Sequence, residues 1–173
     1  MVRHVRLRKR VGKLRHRPTP DELKRMLRKH VSFEINRFRA AASLWGKSRY
    51  GVPADAMIRE LALIHFRLLL DFFYPRGGAA SGKHRDVIWS DYLPDPGLLS
   101  PGFRALLMQP SWLQHHRDQL DWRLAHLTMY RFDFEQQPAW QPDEQFTHIE
   151  QLITHFLAAL PTEMRALFDC KRQ

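Results

Sequence analysis

Cysteine is almost absent from this chain: one, Cys170, in 173 residues. A single thiol closes no intramolecular disulfide and builds no thiolate metal centre, so a reducing, cytoplasmic setting is expected. Long apolar runs are missing too. None approaches the roughly 20 residues that cross a bilayer, and no apolar stretch follows the basic N-terminus as it would in a secretory signal, so no membrane partner is expected. No alternating apolar–polar stretch and no Asn-Gly hairpin pair occurs, which argues against a sheet. No two histidines stand at i, i+4 with a carboxylate in support, so no metal is expected. GGAASGK (77–83) lacks the spacing and the preceding strand of a phosphate-binding loop, and there is no G-x-S-x-G elbow. No cofactor is expected.

Basic charge, by contrast, is abundant and uneven. The formal net charge is +10, from 28 Lys and Arg against 18 Asp and Glu. Arg3, Arg6, Arg8, Lys9, Arg10, Lys13, Arg15 and Arg17 supply eight of those bases with no acid among residues 1–17. The remainder holds 28 − 8 = 20 bases against 18 acids and is nearly neutral. Residues 1–18 therefore read as a basic arm suited to RNA or another polyanion, or as a solvated extension. Residues 19–173 read as one domain with enough apolar surface for a core.

Four long amphipathic segments organise that domain. Thr19, Pro20, Asp21 and Glu22 announce a first helix running to about Leu44, with Leu23, Leu27, Val31, Ile35 and Phe38 as its apolar stripe. GKSRYG (46–51) is a turn, and Pro53 opens a second helix that stops at Pro75. Residues 75–110 read as a long irregular crossover: RGGAASGK (76–83) is small and flexible, and 86–103 mixes aromatics with prolines and reads as a packed loop. Ser111 caps a third helix to about Phe132. Asp143 caps a fourth, interrupted at Pro161, with Phe146, Ile149, Leu152, Ile153, Phe156, Leu157 and Leu160 on one side. The expected fold is all-α: a four- to five-helix bundle with a long irregular crossover between the second and third main helices.

The second helix, RELALIHFRLLLDFF (59–73), poses the chemical question. On a wheel, Glu60, Ile64, Arg67 and Asp71 share one face, and Ile58, His65, Leu69 and Phe72 lie opposite. The polar stripe is either a water-facing side carrying an Arg67–Asp71 ion pair or the lining of a groove between helices. His65 is either a satisfied core imidazole or a proton-transfer group. On the third helix, Arg131 continues the apolar stripe and needs a partner, with Glu60 or Asp71 available; His126 shares a neighbouring face with Tyr130, while His115 and His116 read as surface.

RELALIHFRLLLDFF together with AHLTMYR (125–131) resembles a bacterial group of helical proteins with E-x4-H-x-R-x-L-x-D-F and A-H-L-T-x-x-R helices. The pattern also resembles HEPN domains, four- to five-helix units found as ribonucleases in toxin and phage-defence systems. Their signature of Arg, a polar residue and a later His fits Arg59, Glu60 and His65, with Glu where the family usually carries Asn, Asp or His. The resemblance implies metal-independent RNA cleavage, usually at a homodimer interface. His65 or His126 would move the proton, Glu60 would stand in the motif, and Arg59, Arg67 or Arg131 would stabilise the phosphate. It implies RNA, a second copy or a partner protein as partners. A non-catalytic helical interaction module, with its polar groups serving as structure, is the alternative. A ligand sensor built on the groove and the aromatic stretch 86–103 is a third reading.

Overall fold

The computed structural model describes residues 17–47, 51–76, 87–125 and 142–169. Every element among them is helical, so the fold is all-α. The first helix begins as the sequence dictates. Thr19 caps α1 (Pro20–Met26) in a reciprocal box with Glu22, whose carboxylate accepts from the Thr19 backbone N–H at 2.8 Å. It is not one regular helix to Leu44, however. A π-helical turn (Leu27–Val31) intervenes before α2 (Ser32–Leu44). An i→i+5 turn is wider than an α turn, so Val31 and Ser32 are both buried beside Leu27 and Ile35.

Two glycines with positive φ, Gly46 at 71° and Gly51 at 85°, punctuate the connection to α3 (Val52–Phe73). The short connection folds α3 back along α2, and these two helices share the most extensive contact in the fold. Phe38 of α2 and Phe66 of α3 stack at 6.2 Å, and Phe146 packs edge-on against both, at 5.2 and 5.1 Å. Phe146 belongs to α7 (Asp143–Ala159), which runs behind α3. Farther along, Phe156 of α7 meets Phe72, Phe73 and Tyr92. These rings are buried, and edge-to-face geometry adds about 1 kcal/mol per pair beyond area burial. Pro142, not Asp143, occupies the N-cap of α7; Asp143 is its first residue and favours the positive end of the dipole. Short α8 (Thr162–Asp169) closes the bundle against the π turn.

The described part of the crossover, residues 87–110, is ordered in short pieces. It carries α4 (Trp89–Tyr92), a 3-10 turn (Pro96–Leu98) and α5 (Pro101–Leu106). Caps start these elements where propensity alone would not: the Asp91 carboxylate accepts from the Ile88 N–H, Asp95 from Gly97 and Ser100 from Phe103. Ile88, Tyr92, Leu99 and Phe103 anchor the stretch in the core. The third long helix, α6 (Leu113–Ala125), begins two residues after the expected cap Ser111.

α6 lies antiparallel to α3. Arg117 reaches Leu70, Asp71 and Tyr74, whereas Asp121, one turn on, reaches Arg67. α3 is thus flanked by α2 on one side and α6 on the other, with α7 behind it.

Candidate nucleic-acid interface

Arg25, Lys29, Phe33 and Arg37 follow one another at four-residue intervals along α1, the π turn and α2, and all four are exposed. On a regular α-helix a four-residue repeat drifts about 40° per step; the wider π turn takes up part of that drift and keeps the row on one side. Arg28 and His30 are exposed beside it. The Arg37 guanidinium carbon sits 5.2 Å from the centroid of the Phe33 ring, a cation–π contact. An exposed aromatic between cations is the surface that single-stranded nucleic acid uses: charge tracks the backbone and the ring stacks a base. Arg17, the described end of the basic arm, is also exposed; Arg3, Arg6, Arg8, Lys9, Arg10, Lys13 and Arg15 lie outside the described residues.

His65 adjoins this row. Its ring meets Phe33 edge-on at 6.0 Å, and its Nδ1 lies 2.6 Å from Oε2 of Glu34. The imidazole is 9% exposed and the carboxylate 25%. A carboxylate accepts, so Nδ1 donates and the neutral ring keeps its lone pair on Nε2. A carboxylate-oriented imidazole is the arrangement by which proteins hold a general base in one tautomer. The same contact satisfies a buried histidine.

The arginines expected beside His65 stand elsewhere. Arg59 is exposed and its Nε donates back to the Asp55 carbonyl at 3.3 Å; it lies about 120° around the helix from His65. Glu60 is exposed. Arg67 turns to α6, where its Nη2 lies 2.8 Å from Asp121 Oδ1, so the expected Arg67–Asp71 pair is not formed. Asp71 instead takes Arg117 at 3.3 Å and Arg76 at 3.5 Å, and Arg76 also donates to Asp121 at 2.8 Å. Three guanidiniums and two carboxylates thereby tie α6 to the C-terminal half of α3. The polar stripe is split: Arg67 and Asp71 line a helix contact, and Glu60 and Ile64 face outward. His126 and Arg131 lie outside the described residues.

A second group of perturbed side chains meets across helices with no sequence signal. The Tyr74 hydroxyl lies 2.5 Å from the Leu106 carbonyl and 2.7 Å from Nε2 of His148. A carbonyl only accepts, so Tyr74 donates its one proton to Leu106 and His148 donates from Nε2. Trp112 packs edge-on against His148 and His116, 5.4 Å from each. His116 is buried, contrary to the surface position expected, and Nδ1 donates to the Trp112 carbonyl at 3.0 Å. Burial pulls the His116 and His148 imidazoles below the ordinary range and pushes the Tyr74 phenol up. Arg117 is nearby, its guanidinium pulled down by burial while Asp71 opposes the shift. Its Nε is buried without a hydrogen-bond partner. The separations of Tyr74 from His148 and of Leu70 from Arg117 in sequence leave no local signal for either contact.

An open cleft of about 490 Å³ lies between α2 and α7, with Phe38, Ala42 and Phe146 at its floor. Arg39 and Glu150 bridge it as a two-pronged ion pair. None of Arg59, Glu60, His65 or Arg67 lines it. Among the described residues no three His, Cys, Asp or Glu side chains are arranged to hold a metal ion, and no helix is long and apolar enough to cross a membrane. Comparison with protein-family models, with curated proteins and with solved structures finds no match to this chain.

Proposed function

We propose that the protein binds single-stranded RNA along the row Arg25, Lys29, Phe33 and Arg37, with the basic arm adding phosphate contacts. The observation that carries this reading is the exposed aromatic set between cations on one helical face. Three cations of the row and the eight of the arm supply attraction that any polyanion feels. Phe33 supplies what a polyanion alone does not use, a face on which a base stacks, worth about 1–3 kcal/mol.

A second reading, endonucleolytic cleavage, is favoured by one contact: Glu34 holds His65 at the edge of that row. RNA carries its own nucleophile, so cleavage without metal needs a base for the 2′-hydroxyl proton, a cation for the phosphate and an acid for the leaving 5′-oxygen. His65 would accept the proton at Nε2, and a solvent water would protonate the leaving 5′-oxygen. Arg37, one ring away across Phe33, would take the phosphate-stabilising place that the HEPN resemblance gives to Arg59, Arg67 or Arg131. The resemblance supports RNA as the substrate class on either reading.

The test is one RNA titration and one incubation with the full chain. A labelled single-stranded RNA should bind, and Phe33→Ala should weaken binding roughly tenfold with helicity unchanged. In EDTA, cleavage that His65→Ala abolishes supports the nuclease. Binding with no cleavage leaves a binding module. No binding by the full chain overturns both.

A further inference from the structure

α3 leaves an apolar row uncovered. Met57, Leu61, Ile64 and Leu68 follow at intervals of four, three and four residues, and are 64%, 43%, 40% and 46% exposed. Phe33, 43% exposed, joins the row from α2: it touches His65, whose i−4 and i+3 neighbours are Leu61 and Leu68. The five side chains make an apolar patch on the order of 400 Å², the size at which surface patches mark contact sites.

We infer that this face is a docking groove for one amphipathic helix of a partner protein, with its apolar edge on α3 and an acidic flank toward α2. Two features select that occupant. The first is size. A stable pair of protein surfaces uses roughly 800 Å² from each side, about twice this patch, whereas a helix laid in a groove is read by anchors at i, i+3 or i+4, and i+7. The second is charge. The rim on the π turn and α2 carries Lys29 and Arg37, both exposed and with no acidic partner within ion-pair distance among the described residues, while Glu34 between them is engaged by His65. The rim on α6 is closed by the Arg67, Arg76 and Asp121 pairs. A helix with acid on one flank meets two cations free of ion pairs on the α2 side, and on the other side meets paired charges and the exposed Glu60, which would repel acid there. Because Lys29, Phe33 and Arg37 also belong to the proposed RNA row, a helix seated here excludes RNA from it. The competition rests on the RNA reading; the docking does not.

The probe is a pair of designed amphipathic peptides with the same leucine row, one with glutamate flanks and one with lysine flanks, titrated against the full chain by fluorescence anisotropy. The glutamate peptide should bind at least about tenfold tighter than the lysine peptide in low salt. Leu61→Glu with Leu68→Glu should weaken it about 100-fold, since a carboxylate is then buried without a partner. Both positions are exposed, so circular dichroism should show unchanged helicity and RNA affinity should stay within about threefold. Bound glutamate peptide should displace labelled RNA. Equal binding of the two peptides, no binding of either, or binding retained by the double glutamate variant overturns the inference. So does a concentration-dependent dimer that the variant dissociates, which assigns the face to a second copy. Preferential uptake by anionic vesicles over the glutamate peptide also overturns it, assigning the face to a lipid surface. If peptides dock but RNA never binds, the docking stands and the RNA reading fails.

Discussion

Nδ1 of His65 lies 2.6 Å from Oε2 of Glu34, across the contact between α2 and α3. The two residues are 31 positions apart, and the contact couples a helix pairing to the orientation of a ring at the edge of a basic, aromatic surface. Replacing either partner leaves the other poorly matched in a place with little water. Glu34→Ala should therefore lower stability by roughly 1–3 kcal/mol, read by urea unfolding at pH 7. His65→Gln should cost less than His65→Ala, because an amide can still donate to Glu34. Equal loss from the two His65 variants would show that the hydrogen bond contributes nothing.

Arg117 is a sharper case. Its side chain is 7% exposed, and it donates to the Leu70 and Tyr74 carbonyls and to Asp71. Arg117→Leu leaves the buried Tyr74 carbonyl without this donor, while Leu70 keeps the Tyr74 N–H and Asp71 keeps Arg76, so the expected cost is roughly 1–3 kcal/mol. Arg76 is half exposed, so Arg76→Ala should cost under about 1 kcal/mol. Denaturant midpoints of the two variants test the contrast, and similar losses would contradict it.

Acid should loosen the α6 contact first. Burial lowers the folded-state pKa of His116 and His148 below the ordinary 6.5. A lowered folded-state value favours the neutral ring in the native protein, so their contribution is present above pH 6.5 and lost as pH falls through the folded-state values. Burial raises Tyr74 and Tyr92, each from 10.0, so their contribution is present below pH 10 and declines above it. Unfolding midpoints between pH 5 and pH 11 should form a plateau with both shoulders. His148→Gln, which keeps a donor for Tyr74, should shallow the acid shoulder; an unchanged shoulder would remove His148 from its cause.

Two phenylalanines on the same helix should behave in opposite ways. Phe38 is 2% exposed within an aromatic cluster, and Phe33 is 43% exposed. Phe38→Ala should cost roughly 3–5 kcal/mol of stability through the cavity it leaves. Phe33→Ala should stay within about 0.5 kcal/mol while weakening RNA binding. Thermal melts and RNA titrations of the two proteins separate the roles.

The helices were legible because their signals are local. Leu23, Leu27, Val31, Ile35 and Phe38 are all buried as the stripe requires, and so are Phe146, Ile149, Leu152, Ile153, Phe156 and Leu160. Thr19 and Glu22 announced their cap, and the glycines their turn. The four-residue repeat of Arg25, Lys29, Phe33 and Arg37 is equally local, but the near-neutral charge of residues 19–173 does not report it. The π turn had no such mark. Short α4 and α5 depend on caps and on Tyr92 and Phe103 finding the core, which propensity does not report. Glu34 with His65, Tyr74 with His148 and Arg67 with Asp121 are meetings across helices, fixed only once α2, α6 and α7 are set around α3. Spacing within α3 offered Asp71 to Arg67; packing gave Arg67 to α6.

On the proposed reading the folded surface, not the arm alone, holds RNA. The most direct measurement is the salt dependence of RNA affinity for the full chain and for Arg25→Ala/Lys29→Ala/Arg37→Ala with the arm intact. Each phosphate contact to a single strand contributes about 0.7 to the slope of log affinity against log salt. Loss of three should lower the slope by about 2 and weaken binding at every salt concentration. An unchanged slope and affinity would place RNA on the arm and contradict the account.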